Sequence, residues 1–154
     1  MMPLTFGNGQ AFAPGEASYD YRPATSGETT SRVFIEVTIN GITTDAMVDT
    51  GGVYFLCQPH IAHRLQLEEA EATSGPLSIL IRGIQVQGRL YRLLLTIPAE
   101  SGETLDLQVT AFVPEEDEEN WGDFPCILGF HGCLERARFA IDPGTYTFYF
   151  GPTS

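Results

Sequence analysis

The stretch from Arg32 to Leu56 constrains the chain most. In RVFIEVTIN, Val33, Ile35, Val37 and Ile39 alternate with Phe34, Glu36 and Thr38, and in the following run Ile42, Thr44, Ala46 and Val48 keep the same period of two. That period belongs to half-buried strands, because successive side chains of a strand point to opposite faces. Between the two runs stands Asn40-Gly41, the dipeptide favoured in type I′ turns, whose twist suits a hairpin. The hairpin therefore ends at Asp49, and its second strand is expected to carry that carboxylate into a shielded interior. Gly51 and Gly52 follow, allowing a sharp turn and a close approach by another backbone or by substrate. An aspartate in such a turn is often structural, accepting hydrogen bonds from local N–H groups as an Asx turn. Taken alone, Asp49-Thr50-Gly51 leaves both the structural and the chemical reading open.

Most of the remaining chain also reads as strand. Residues 1–31 hold Gly7, Gly9, Pro14, Gly15, Pro23 and Gly27 among polar residues and read as an N-terminal arm, with the domain spanning 32–154. Pro59 to Leu65 combines a proline at a first helical position with apolar residues at helical spacing, which predicts one short helix. Leu77 to Ile97 is rich in strand formers and broken by Gly83 and Gly88, as in a long hairpin with its tip between Arg82 and Gly88. Ser101-Gly102-Glu103 marks a turn and Leu105 to Val113 a further strand. Glu115 to Glu119 reads as a solvated acidic loop, since the spacing and glycine of a helix-loop-helix calcium site are absent. Pro125 to Gly129 is almost wholly apolar, as expected of a fully buried strand. Gly132 to Arg138 allows one or two helical turns, Phe139 to Ile141 a strand, and Asp142-Pro143-Gly144 a turn. In the last strand, Thr145 to Phe150, the residues Tyr146, Phe148 and Phe150 share a face. The fold class is all-β, with one or two short helices.

Composition removes several functions. A chain of 154 residues with 43% apolar residues can bury the core of one domain. Its net charge of -12, with eight basic residues, all arginine, supplies no basic stripe for nucleic acid or an anionic membrane. With no lysine, Schiff-base chemistry is excluded. No run reaches the about 18 apolar residues of a membrane span, and no basic then apolar leader opens the chain. Cys57, Cys126 and Cys133 form a sparse, odd set and read as buried reduced thiols of a cytoplasmic protein rather than a disulfide frame.

Among catalytic constellations, the chain lacks a Gly-x-Ser-x-Gly elbow, a phosphate loop ending in Gly-Lys-Ser or Gly-Lys-Thr, and a His-Glu-x-x-His helix. Cys57, His60 and His63 recur at intervals of three, but no fourth metal ligand accompanies them and Pro59 interrupts the geometry, so no metal or cofactor is expected. A nucleophilic pair of Cys57 or Cys133 with His131 depends on a proximity that spacing does not establish.

Val48-Asp49-Thr50-Gly51-Gly52 followed downstream by Ile127-Leu128-Gly129 resembles the retropepsin-type aspartic proteases, in particular their short single-domain bacterial members. The likeness runs from about Arg32 to Phe150 and includes the Asn-Gly hairpin before the aspartate and the tail LERARFAIDPGTYTFYFG. The resemblance implies a retropepsin-like β-barrel in which Asp49 is catalytic and Thr50, Gly51 and Gly52 support the active-site loop. It implies that Ile127, Leu128 and Gly129 pack beside that loop and that Arg82, Gly83 and Ile84 belong to a flap over the substrate. The chain departs from the family pattern at Gly52 and Val53, where Ala or Ser and then Ser, Thr or Asp are usual, and at Phe130 and His131, where Arg and then Asp or Asn are common.

Aspartic proteolysis needs two carboxylates, one acting as base toward a water and one protonated to polarise the carbonyl. No other aspartate here is followed by Thr-Gly or Ser-Gly, and Asp45, Asp106, Asp123 and Asp142 fall in exposed or turn contexts. A twofold homodimer contributing one Asp49 from each subunit is the economical solution. The expected function is thus a homodimeric aspartic endopeptidase acting on extended peptide or protein segments. The competing expectation is a catalytically inactive module of the same fold that dimerises or binds peptides by β-addition.

Overall fold

The computed structural model describes residues 4–115 and 121–154. Within residues 4–31, expected from the sequence to be part of an arm, four strands form, β1 (Leu4–Thr5), β2 (Ala11–Ala13), β3 (Gly15–Ser18) and β4 (Asp20–Pro23). There follow β5 (Ser31–Ile39), β6 (Ile42–Val53), β7 (Phe55–Leu56), the helix α1 (Pro59–Leu65), β8 (Leu77–Ile81), β9 (Ile84–Ile97), β10 (Ser101–Gly102) and β11 (Leu105–Pro114). The chain closes with β12 (Cys126–His131), β13 (Ala137–Asp142) and β14 (Thr147–Pro152), and short 3-10 turns occupy Glu69–Glu71 and Leu134–Arg136.

Three of the local expectations hold closely. Asn40 and Gly41 both have positive φ, 45° and 85°, as a type I′ turn requires, and Ile39 pairs with Ile42 across it. The helix occupies Pro59–Leu65, with Gln66 closing it in the left-handed region at φ 52°. Arg82 and Gly83, at φ 54° and 79°, form the tip of the β8–β9 hairpin, with Ile81 opposite Ile84. Two expectations change. Tyr146 has φ 52° and is 55% exposed in the turn before β14, so only Phe148 and Phe150 of that run enter the core. Ser101–Gly102 is a short strand against β3. The acidic run lies beyond the described residues except for Glu115.

The eight-stranded sheet runs β4-β5-β6-β12-β7-β11-β9-β8, and β9 also pairs with β5 through Thr38↔Thr96 and Ile39↔Leu95. That extra pairing closes the strands between β5 and β9 into a barrel, leaving only β4 and β8 as end strands. The all-β class expected of the chain, with one short helix, is the one found. Alternation divides its apolar residues between two clusters. Ile35, Val37, Leu93, Leu95, Val109 and Leu128 fill one, joined by Phe148 and Phe150 from the second sheet, β10-β3-β14-β13. Phe34, Met47, Leu56, Phe112 and Ile127 face the other way and meet Ile81 and Val86 of the β8–β9 hairpin together with Trp121 and Phe124.

Candidate active site

The site is built by one non-local insertion. β12 lies between β6 and β7, parallel to β6 and antiparallel to β7, with Ile127↔Met47, Leu128↔Val48 and Gly129↔Asp49 in register. Ile127-Leu128-Gly129 therefore flanks the aspartate strand residue for residue. Side chains two apart on a strand share a face. Asp49 thus lies on the side of Met47 and Gly129 on the side of Ile127, which is the side covered by the β8–β9 hairpin.

Asp49 Oδ1 accepts a hydrogen bond of 3.0 Å from Gly51 N–H, the Asx turn that Asp-Thr-Gly allows. Asp49 is half-buried as a residue, and Thr50 and Gly51 are exposed. This corrects the expectation of a shielded interior. Ala46 and Met47 are the last fully buried residues of β6, and beyond them Asp49 is only partly covered within one subunit. The glycines also divide differently from the sequence expectation. Neither Gly51 nor Gly52 has positive φ, and a Cβ on either would stand 3.5 or 3.4 Å from an Asp49 carboxylate oxygen, an ordinary contact. Any close approach they permit is by something outside the subunit. At Gly129, by contrast, a Cβ would fall 2.5 Å from Tyr54 O and 2.6 Å from Val53 C, so the pairing with the aspartate loop admits only glycine.

Tyr54 is the residue the sequence did not reveal. It stands at φ 62° between β6 and β7, its N–H donating to His131 O at 2.6 Å and its carbonyl accepting from Gly129 N–H at 2.8 Å. These two bonds pin the corner after Asp-Thr-Gly-Gly to the strand carrying Gly129. A bulky residue with positive φ costs energy that the surrounding structure must offset. No local pattern in Val53-Tyr54-Phe55 announces it. Trp121 and Phe124, packed in one cluster with Ile81 and Val86 of the hairpin, carry no local signal either, although Trp121 is the chain's one tryptophan.

Beyond Gly129, the chain is held by Gly132 N–H donating to Glu135 Oε2 and by Arg136, which donates to Gln108 O at 3.0 Å and Thr110 Oγ1 at 3.1 Å. The His131 side chain is 68% exposed and stands 3.3 Å from Glu135. Cys133 is fully buried, and burial pushes its thiol up to about 12. Contact with Cys126 and burial raise Cys57 well above the ordinary thiol range, whereas Cys126 is lowered by the same contact and accepts from Gln58 N–H at 3.3 Å. A buried thiol opposite an exposed imidazole does not make a Cys-His nucleophile pair. Cys57 is likewise buried, while His60 and His63 are exposed on α1.

Arg82, Gly83 and Ile84, expected in a flap, lie at the tip of the β8–β9 hairpin. Arg82 and Gly83 make the turn, and Ile84, 42% exposed, opens β9. Gly88 lies lower, where a Cβ would meet Val113 O at 2.4 Å, so its role is close strand packing rather than the bend.

No protein-family model matches the chain. No curated protein matches it. Among solved structures, the crystal structure of a retropepsin-like aspartic protease from Rickettsia conorii matches with a TM-score of 0.53 at 19% identity, covering 89% of this chain and 93% of that one. At that identity the likeness is one of fold, and the fold of this chain is retropepsin-like.

Proposed function

We propose that the protein is a homodimeric aspartic endopeptidase in which Asp49 from each of two subunits activates a water for attack on a peptide bond. The observation that carries the reading is Asp49 itself: oriented by Gly51 N–H, set beside Gly129, and left half-open where a second copy could bring its own. In such a pair one carboxylate takes the proton of the attacking water while the other, protonated, donates to the scissile carbonyl oxygen. Peptide would lie between this floor and the β8–β9 hairpin, against the apolar wall of Met47, Ile127, Trp121 and Phe124. Three free, buried thiols accord with a reducing, cytoplasmic setting. Among the described residues, no helix is long and apolar enough to cross a membrane.

A second reading, a silent peptide-binding module, draws support from β8, which ends the larger sheet and could accept an added strand. Asp49→Asn separates the two. The amide cannot act as base, so cleavage of a mixed peptide library in mild acid falls at least roughly a hundredfold while the fold persists. Turnover by the variant at the wild-type rate would exclude the aspartic mechanism. Peptide binding without turnover by the wild type would favour the module.

A further inference from the structure

The tip of the β8–β9 hairpin is fastened to the N-terminal arm. Arg82 makes an ion pair of 3.0 Å with Glu28, in the loop between β4 and β5, and its guanidinium stands 4.1 Å from the centre of the Phe124 ring. One side chain at the turn thus grips two separate segments. Beneath it, Ile81, Arg82, Ile84, Val86, Trp121 and Phe124 enclose a space of about 20 Å³. A space of that size holds about one water and no peptide side chain. Trp121, 6% exposed and donating from Nε1 to Phe124 O at 2.6 Å, is packed in the same cluster as Ile81 and Val86. Anything that is to lie between the hairpin and this wall must first lift the tip and break what Arg82 holds.

We propose that Glu28 and Arg82 form a latch by which the N-terminal arm holds the hairpin shut, so that peptide enters the cleft only from the unlatched state. The consequence for peptide rests on the protease reading above; the latch itself does not. Peptide affinity scales with the fraction of molecules that are open, so loosening the latch raises apparent affinity by the same factor as that fraction. Both partners are partly exposed, and a single exposed pair changes such an equilibrium by only about two- to fivefold.

The test uses the full chain and its single tryptophan, with acrylamide quenching of Trp121 fluorescence as the measure of opening. Glu28→Gln should raise the open fraction about two- to fivefold, within the range for an exposed pair. Arg82→Gln should raise it further, since it also leaves Phe124. In the Arg82→Gln background, Glu28→Gln should add nothing. Far-UV circular dichroism confirms that each variant is folded. A Glu28→Gln protein quenched like wild type, or one with the same effect in both backgrounds, overturns the latch. Where wild type cleaves a peptide, kcat/KM should rise in parallel with quenching, and unchanged kcat/KM beside increased quenching overturns the gating role. Absence of cleavage in every variant counts against the protease reading while the quenching comparison still decides the latch.

Discussion

Gly129 stands directly opposite Asp49 in the parallel pairing of β12 with β6, and a methyl group added to it would lie 2.5 Å from the carbonyl oxygen of Tyr54. The obstructing atoms are backbone on the corner that follows the aspartate, so they cannot swing aside as a side chain would. Gly129→Ala must push that corner away from β12 and strain the hydrogen bond from Gly129 N–H to Tyr54. Overpacking of this kind costs about 1–3 kcal/mol. Gly52→Ala offers the contrast, since its methyl meets Asp49 Oδ2 at 3.4 Å without a left-handed backbone. It should shift stability by less than about 1 kcal/mol, in the favourable direction if the unfolded chain dominates. Urea unfolding of the two variants beside wild type measures the difference, and equal losses would show that the close approach at Gly129 is not what fixes the loop.

Cys133 gives stability a specific alkaline dependence. Its thiol is raised by burial from 9.0 to about 12, so the native state keeps a proton that the unfolded chain releases. The contribution is fully present below the ordinary thiol value and is lost as pH rises toward the raised one, by up to about 1.4 kcal/mol per pH unit. Cys133→Ala should cost stability at neutral pH through the cavity it leaves, yet show a shallower decline between these two values. Urea midpoints followed across that interval test the slope rather than the absolute loss. Parallel slopes in wild type and variant would place the alkaline sensitivity elsewhere, for example on Tyr19 or Tyr91, which burial also raises.

Association should depend on pH through the two copies of Asp49. Two unit charges about 4 Å apart repel by about 4 kcal/mol at an effective dielectric near 20, so the pair is expected to share one proton. A proton held by the dimer and not by separated subunits favours association as pH falls, and that contribution fades as pH rises. The net charge of -12 per subunit acts in the same sense, but salt screens it far more than a pair enclosed at the interface. Sedimentation in mild acid and mild alkali, each at low and high salt, should therefore show a salt-resistant part of the pH dependence that Asp49→Asn removes. Monomers under all conditions would contradict the shared pair.

Much of the local structure around this site is legible in the sequence, and what is not has a common cause. The β5–β6 hairpin was legible because period-two alternation and Asn40-Gly41 are local signals, and Arg82-Gly83 fell within the span assigned to the tip for the same reason. The insertion of β12 between β6 and β7 leaves no local trace. Only the likeness of Ile127-Leu128-Gly129 to a known segment pointed to it, and its parallel register came from the structure. Alternation marked β6 as a strand but did not tell what would cover Asp49, since cover is a property of the assembly. The arm hid its strands for another reason. Gly15 and its neighbours lack strand-forming side chains, yet glycine there lets β3 approach Phe150 and Glu103 closely enough to pair with β14 and β10. Tyr54 and the Glu28–Arg82 contact depend on tertiary neighbours and carry no sequence signature.

The central claim is that two subunits each supply one Asp49 to a single reaction centre. Adding increasing Asp49→Asn protein to a fixed amount of wild type, with peptide in excess, tests it most directly. Heterodimers carry one carboxylate and one amide, so the turnover per wild-type subunit should fall toward zero as the mutant comes to dominate the mixture. Turnover that stays constant however much mutant is added would mean that each subunit works alone, and the shared aspartate pair would be wrong.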